Sequence, residues 1–169
     1  ICFLLTLTII WSAFLGVALL SGRFQESVID EKYDLWITNV RVTSDNAEDI
    51  LGDGTVHYDA YDNILTFENA LIESEHTIIY SANDLNVRLI GENKFICKNE
   101  STNFGIYAGD SYIHKDLAIY GDGSLTIEMT TKSKEATGIF ADDLMVNSDI
   151  TIITPDCEYM TTGIVCDSS

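Results

Sequence analysis

Apolar and polar residues alternate along short segments of the chain from Thr77 onward. The clearest segments carry the apolar residues Leu85, Val87 and Leu89, then Leu117 and Ile119, then Leu125, Ile127 and Met129, then Leu144 and Val146. A period of two residues is typical of β-strands that bury one face. Turn-forming residues separate the segments, as at 91–93, 121–123 and 147–148. The pattern therefore predicts an all-β protein built from short strands.

One short motif occurs three times in the chain, as GIYA at 105–108, GIFA at 138–141 and GIVC at 163–166. Each occurrence opens a longer unit, in which a short strand with one isoleucine is followed by a strand that begins with Asp-Leu and by a third apolar strand. The isoleucines at equivalent positions are Ile79, Ile106, Ile139 and Ile164, which lie 27, 33 and 25 residues apart. A period of this length is a signature of repeat architectures.

Three strands per unit predict a coil that returns to its starting point every 25 to 33 residues. Such coils stack, because each can bury its inner face only against its neighbours. The repeat thus predicts a right-handed parallel β-helix with three short strands per rung. In it the isoleucines form one inner stack, and Leu85, Leu117 and Leu144 form a second. An antiparallel β-sandwich is the alternative, but the units keep residue type as well as polarity.

Residues 33–75 do not fit the repeated unit. They contain strand-like segments around the turn-like stretch YDAYDN at 58–63. A solenoid needs a different first element over the open end of its core. We therefore interpret 33–75 as an N-terminal β cap and first rung, and 76–169 as repeated rungs. The fourth unit is incomplete, so we expect the repeat to be truncated at the C-terminus.

An apolar segment opens the chain. No charged residue precedes Arg23, and about twenty apolar residues are long enough to cross a hydrocarbon core. We interpret 1–24 as a signal peptide or a membrane-anchor helix, and 25–32 as a linker. Residues 33–169 would then form an extracellular or cell-surface β-helix domain that meets the membrane only through the N-terminal segment.

The charge balance narrows the class of partner. The chain has 9 basic and 27 acidic residues, a formal net charge of −18, which disfavours nucleic acid and anionic lipid. Cations and neutral ligands remain open. Of the 4 cysteines, three lie beyond the apolar segment: Cys97, Cys157 and Cys166. The last two could pair, but buried free thiols in strand positions are the simpler interpretation.

Several stretches together resemble a family of extracellular bacterial proteins, the carbohydrate-binding domain-containing β-helix proteins. These stretches are the opening YDLWITNVRVTSDN, the later NILTFENALI, and rungs of the form DLAIYGDGSLTI. The likeness covers nearly everything after the apolar segment. It implies a right-handed parallel β-helix on the cell surface that binds polysaccharide or acidic sugars, with calcium ions bound. The resemblance assigns no ligand residue by residue.

Aromatic residues follow the repeated isoleucines. If the isoleucines point inward, the next residues form an outward column about 4.8 Å apart, made of Tyr80, Tyr107, Phe140 and Val165. An aromatic column is a platform for the apolar faces of sugar rings. Tyr80, Tyr107 and Phe140 are therefore our candidate carbohydrate-binding residues. The alternative is that these side chains stabilise the sheet or lie under a loop.

Aspartates precede the repeated leucines, at Asp84, Asp116 and Asp143. Like charges about 4.8 Å apart repel by roughly 3 kcal/mol at an effective dielectric constant near 20. Calcium accepts clustered carboxylates, and Asp110 and Asp142 lie in the adjoining turns. These five aspartates are our candidate calcium ligands. The alternative is that each caps its own turn through backbone N–H groups.

Signals for catalysis are weak. The sequence has no phosphate-binding loop, dinucleotide fingerprint or nucleophile elbow. It therefore predicts a secreted or cell-surface, non-catalytic protein that holds polysaccharide on an exposed aromatic and acidic face with the help of calcium. A polysaccharide lyase or glycoside hydrolase on the same architecture is the first alternative, and a structural adhesin or stalk is the second.

Overall fold

The computed structural model describes residues 30–98, 102–110, 113–130, 135–154 and 160–166. The predicted signal or anchor segment at 1–24 lies outside these residues, as does most of the predicted linker at 25–32. Within the described ranges, no helix is long and apolar enough to cross a membrane.

The described part of the chain is all-β, which confirms the predicted class. Its strands are β1 (Lys32–Ile37), β2 (Val40–Thr43), β3 (Val56–Asp59), β4 (Ile64–Glu68), β5 (Leu71–Ser74), β6 (Ile79–Ser81), β7 (Leu85–Ile90), β8 (Glu92–Cys97), β9 (Thr102–Ala108), β10 (Leu117–Met129), β11 (Glu135–Ala141), β12 (Leu144–Ile153) and β13 (Met160–Cys166). Buried side chains alternate with partly buried or exposed ones along strands such as β7 and β8, because one face of each strand meets the core.

The repeated units pair with one another in parallel. One sheet holds β6, β9, β11 and β13 side by side, and in the other sheet β10 pairs with β7, β8 and β12. The registers bring each repeated isoleucine and each repeated leucine next to its equivalent in the neighbouring unit. The aligned residues are Ile79, Ile106, Ile139 and Ile164, then Leu85, Leu117 and Leu144. The predicted alignment of both columns is confirmed.

The number of strands per unit differs from the prediction. The stretch 121–123, expected to be a turn, lies inside the continuous 13-residue strand β10. This strand bends there, so that its first part pairs with β7 and its second part with β8. The bend requires glycine, because a Cβ at Gly121 would lie 2.2 Å from the carbonyl oxygen of Leu89. Strand β12 likewise continues through 147–148. The prediction of three separate strands per rung is therefore wrong for the units that contain β10 and β12.

Antiparallel pairs begin the described chain. Strand β1 pairs antiparallel with β2 and with β6, and β3 and β4 form a hairpin across residues 60–63. Strands β4 and β5 then join β7 and β8 in parallel. The change from antiparallel to parallel pairing thus occurs at β6 in one sheet and at β4 in the other.

The core consists of the inward columns. Ile79, Ile106 and Ile139 have no exposed surface, and Phe67 meets Phe95 edge to face with ring centroids 5.1 Å apart. On the last described strand, the isoleucine column is no longer fully covered, and Ile164 is 46% exposed. The reason is that β13 has a single neighbour, β11, among the described strands.

The cysteines differ in burial. Cys97 is a buried free thiol, as expected, and burial raises its pKa to about 12. Cys166 is also free but is exposed, because it lies on the edge strand β13. The expectation of a buried thiol is therefore wrong for Cys166, while Cys157 lies outside the described residues.

Candidate functional site

A row of aromatic side chains crosses the outer face of the sheet that contains β1, β6, β9 and β11. The strand registers pair Trp36 with Tyr80, Tyr80 with Tyr107, and Tyr107 with Phe140. In each strand the residues on either side of the aromatic one are buried, so the aromatic side chain points away from the core. We call Trp36, Tyr80, Tyr107 and Phe140 the aromatic row. All three predicted carbohydrate-binding residues lie in it.

The rings of the three predicted residues are almost parallel. The centroids of Tyr80 and Tyr107 are 5.8 Å apart with an interplanar angle of 6°. Those of Tyr107 and Phe140 are 5.1 Å apart with an angle of 9°. Parallel strands in register hold equivalent side chains at the strand spacing of about 4.8 Å, and this spacing sets the stack.

The stack is offset, and the offset matters for binding. Its centroid separations exceed the contact distance between ring carbons of about 3.5–4.0 Å, so each ring slides partly off its neighbour. Part of each ring therefore remains at the surface, in agreement with the intermediate burial of all four residues. Offset pairs also contribute about 0.5–1.5 kcal/mol each to stability. The row can thus stabilise the sheet and still offer an apolar ridge to a ligand.

Trp36 forms one end of the row, together with a cation. It meets Tyr80 edge to face, with centroids 5.3 Å apart. The guanidinium carbon of Arg41 lies 4.9 Å from the centre of the Trp36 ring. Arg41 is held there because its Nη2 lies 2.7 Å from Asp34 Oδ1 and its Nε donates a hydrogen bond to the carbonyl oxygen of Tyr33. This end of the row is therefore fixed by a cation–π contact and an ion pair.

Sequence reasoning missed Trp36 and Arg41. Strand β1 runs antiparallel to β6, so its segment does not align with the repeated units. A local signal was present nonetheless, because Trp36 lies between the buried residues Leu35 and Ile37, and alternation alone predicts that it points outward.

At the other end, neighbouring side chains cover part of the row. The ring of His114 packs edge-on against Phe140, with centroids 4.7 Å apart, and Phe104 contacts both Tyr107 and Phe140. The hydroxyl of Tyr107 donates to the carbonyl oxygen of Asp110 at 3.1 Å. Burial, with smaller effects from Tyr80 and Asp110, raises the pKa of Tyr107 above its ordinary value. The phenol is therefore neutral near pH 7 and acts as a hydrogen-bond group.

The repeated aspartates form a second row, which we call the aspartate row: Asp84, Asp116 and Asp143. The backbone N–H of Asp116 donates to Asp84 Oδ1 at 3.1 Å, and that of Asp143 donates to Asp116 Oδ1 at 3.4 Å. The carboxylates of Asp84 and Asp116 thus each cap the turn of the next unit. These bonds offset part of the repulsion between the stacked charges.

The aspartate row lines an open depression of about 340 Å³ where β7, β10 and β12 begin. Its other lining residues are Leu85, Asn86, Leu117, Ala118, Leu144 and Met145. Asp110 and Asp142, the remaining predicted calcium ligands, are not part of this lining. Asp110 Oδ1 accepts the N–H of Ile113, whereas Asp142 Oδ1 is a buried oxygen without a hydrogen-bond partner in the described structure.

The described residues contain no group of three or more histidine, cysteine, aspartate or glutamate side chains arranged to hold a metal ion. Two carboxylates of the aspartate row, those of Asp84 and Asp116, instead accept hydrogen bonds from backbone N–H groups. Calcium binding at these residues stays a prediction.

Comparisons with known proteins add no relative. A scan of the sequence against protein-family models, a search of curated proteins and a search of solved structures each gave no match. The resemblance to the bacterial carbohydrate-binding β-helix proteins therefore stays an expectation.

Proposed function

We propose that the chain is a secreted or cell-surface, non-catalytic protein that binds polysaccharide along the aromatic row. The observation that carries the proposal is the alignment of Tyr80, Tyr107 and Phe140 on three neighbouring strands, with successive rings within 9° of parallel. Sugar rings have flat apolar faces and a polar rim. An apolar ridge can bury those faces while the hydroxyl groups stay in water or bond to nearby polar groups.

The length of the row supports an extended ligand. From Trp36 to Phe140 the row crosses four strands, which is about 14 Å at a strand spacing of about 4.8 Å. Arg41 at the Trp36 end has five N–H donors, and its bonds to Tyr33 and Asp34 leave others for sugar hydroxyls. The row therefore combines a long apolar surface with polar groups at its end, as a binding site for an oligosaccharide requires.

For the architecture, we propose that the units close into a right-handed parallel β-helix. The parallel registers between successive units and their spacing of 25 to 33 residues support this. Parallel strands joined by crossover connections are right-handed in nearly all known cases. In such a solenoid each rung lengthens the outer face by about 4.8 Å, so a repeat of the unit extends the binding surface.

The predicted apolar segment at 1–24 supports a location outside the cytoplasm. We propose the cell surface or the extracellular space for this reason. The formal net charge of −18 supports the exclusion of nucleic acid as a partner.

One experiment separates the proposed function from its alternatives. The protein is run in native gels that contain one soluble polysaccharide each, and the same polysaccharides are assayed for new reducing ends and for unsaturated products. Retardation without product is the expected result. Product formation would instead support the lyase or hydrolase. Neither retardation nor product across the panel would contradict the proposal and leave the structural stalk.

A further inference from the structure

We infer that the ligand of the aromatic row is a neutral polysaccharide and not a polyuronate or another acidic sugar. This inference rests on the proposed function, and it narrows the ligand class that the sequence resemblance left open. It comes from the charges that surround the row.

Acidic groups flank the row on the described structure. Asp34 lies at the Trp36 end, where it pairs with Arg41. The aspartate row begins only four residues after Tyr80 in the chain and three residues after Phe140, at the start of the next strands. At the other end of the row, the carbonyl oxygen of Asp110 accepts the hydroxyl of Tyr107, and the whole chain carries a formal net charge of −18.

Six basic residues lie in the described ranges, and three of them are in ion pairs with acidic side chains. Arg41 contacts the row, but its charge is already engaged by Asp34 at 2.7 Å. Lys94 pairs with Glu128 at 2.6 Å, and Lys98 pairs with Glu73. A uronate would have to displace Asp34 from Arg41 or leave its own carboxylate without a partner, and both are unfavourable.

A neutral sugar meets the opposite situation. Each sugar hydroxyl can donate a hydrogen bond, and carboxylates are strong acceptors for such donors. Asp84 and Asp116 each use Oδ1 for a backbone N–H, and a carboxylate has acceptor capacity on its second oxygen. An acid-rich surface therefore suits a ligand that brings donors and no negative charge.

The test compares two probes with the same protein. Native affinity gels contain either a soluble neutral β-glucan or polygalacturonate, each with and without millimolar calcium and at low and high sodium chloride. We expect the neutral glucan to retard the protein independently of calcium and of salt. We expect polygalacturonate not to retard it under any of these conditions. Because negative charge on the protein repels a polyuronate, replacing the whole aspartate row by asparagine should raise the ratio of polygalacturonate to glucan retardation at low salt.

The outcomes distinguish a failure of the inferred ligand class from a failure of the proposed polysaccharide binding. Retardation by polygalacturonate that equals or exceeds retardation by the glucan, with calcium or without it, would overturn the inference and leave polysaccharide binding in place. Retardation by neither probe nor by other polysaccharides would instead remove the proposed function itself.

Discussion

Removal of the buried side chain of Asn93 should destabilise the protein strongly. Asn93 is 3% exposed, and its Oδ1 accepts the N–H of Ala70 at 2.9 Å. Its Nδ2 donates to the carbonyl oxygens of Ile90 and Ser124, both at 3.2 Å. The side chain thus joins strand β8 to the backbone of the units on both sides of it.

The magnitude follows from these bonds. In Asn93→Ala, the buried Ala70 N–H loses its acceptor, which costs about 1–3 kcal/mol, and two further hydrogen bonds of about 1 kcal/mol each disappear. The expected loss in the free energy of unfolding is about 3–5 kcal/mol, or roughly 10 °C in Tm for a domain of this size. Asn93→Asp keeps an acceptor for Ala70 but loses the amide donors and buries a charge, so it should be similarly destabilising near pH 7.

Urea unfolding followed by circular dichroism measures the change. The matched control is Asn147→Ala, because Asn147 is exposed on β12 and should change stability by no more than about 0.5 kcal/mol. A loss below about 1 kcal/mol in Asn93→Ala would refute the argument that this side chain joins neighbouring units.

Three further predictions concern the core, the thiols and calcium. Ile139→Ala should cost about 2–5 kcal/mol in the free energy of unfolding, whereas Ile164→Ala should cost clearly less because its side chain is 46% exposed; equal losses in urea unfolding would contradict the burial of the column. Cys166 should react with iodoacetamide in the folded protein and Cys97 should not, since burial raises the Cys97 pKa to about 12. The same shift means that the contribution of Cys97 to the free energy of unfolding is present below pH 9 and declines as the pH rises toward 12. Rapid labelling of Cys97 at pH 8, seen by peptide mass spectrometry, would contradict this prediction. If calcium binds the aspartate row, millimolar calcium should raise Tm by a few degrees more than sodium chloride at matched ionic strength, and asparagine at all three positions should abolish the increment; an increment that survives would remove these residues from the site.

The columns of the fold were predictable because they depend on local pattern. Alternation fixed which side of each strand is buried, and the recurrence of Ile106 and Ile139 in the same sequence context fixed their alignment. Strand direction was not predictable in the same way, since alternation reads identically in both directions. This is why the antiparallel placement of β1 was missed, and with it Trp36 at the end of the aromatic row.

The bend in β10 shows a second limit of prediction from the sequence. The stretch around Gly121 has turn-forming residues, yet its strand continues because the flanking segments pair with β7 and β8 on either side of the bend. The aspartate row shows a third limit of such prediction, because an aspartate at a turn can bind either a cation or a backbone N–H. Sequence spacing could not choose between these, and the contacts of Asp84 and Asp116 with backbone N–H groups depend on the three-dimensional register.

The role of the aromatic row is tested most directly by the dissociation constant for a retained polysaccharide in Tyr107→Ala and Phe140→Ala. The matched control is Tyr61→Ala, because Tyr61 is 97% exposed at the tip of the β3–β4 hairpin, outside the row. Tyr107→Leu, which keeps apolar volume without the ring, accompanies them in case truncation impairs folding. We predict that each row variant binds about tenfold more weakly, which corresponds to about 1.4 kcal/mol, with Tyr61→Ala unchanged and every variant folded by circular dichroism. Wild-type affinity in all the row variants, with lowered Tm alone, would contradict it and make the row a purely structural stack.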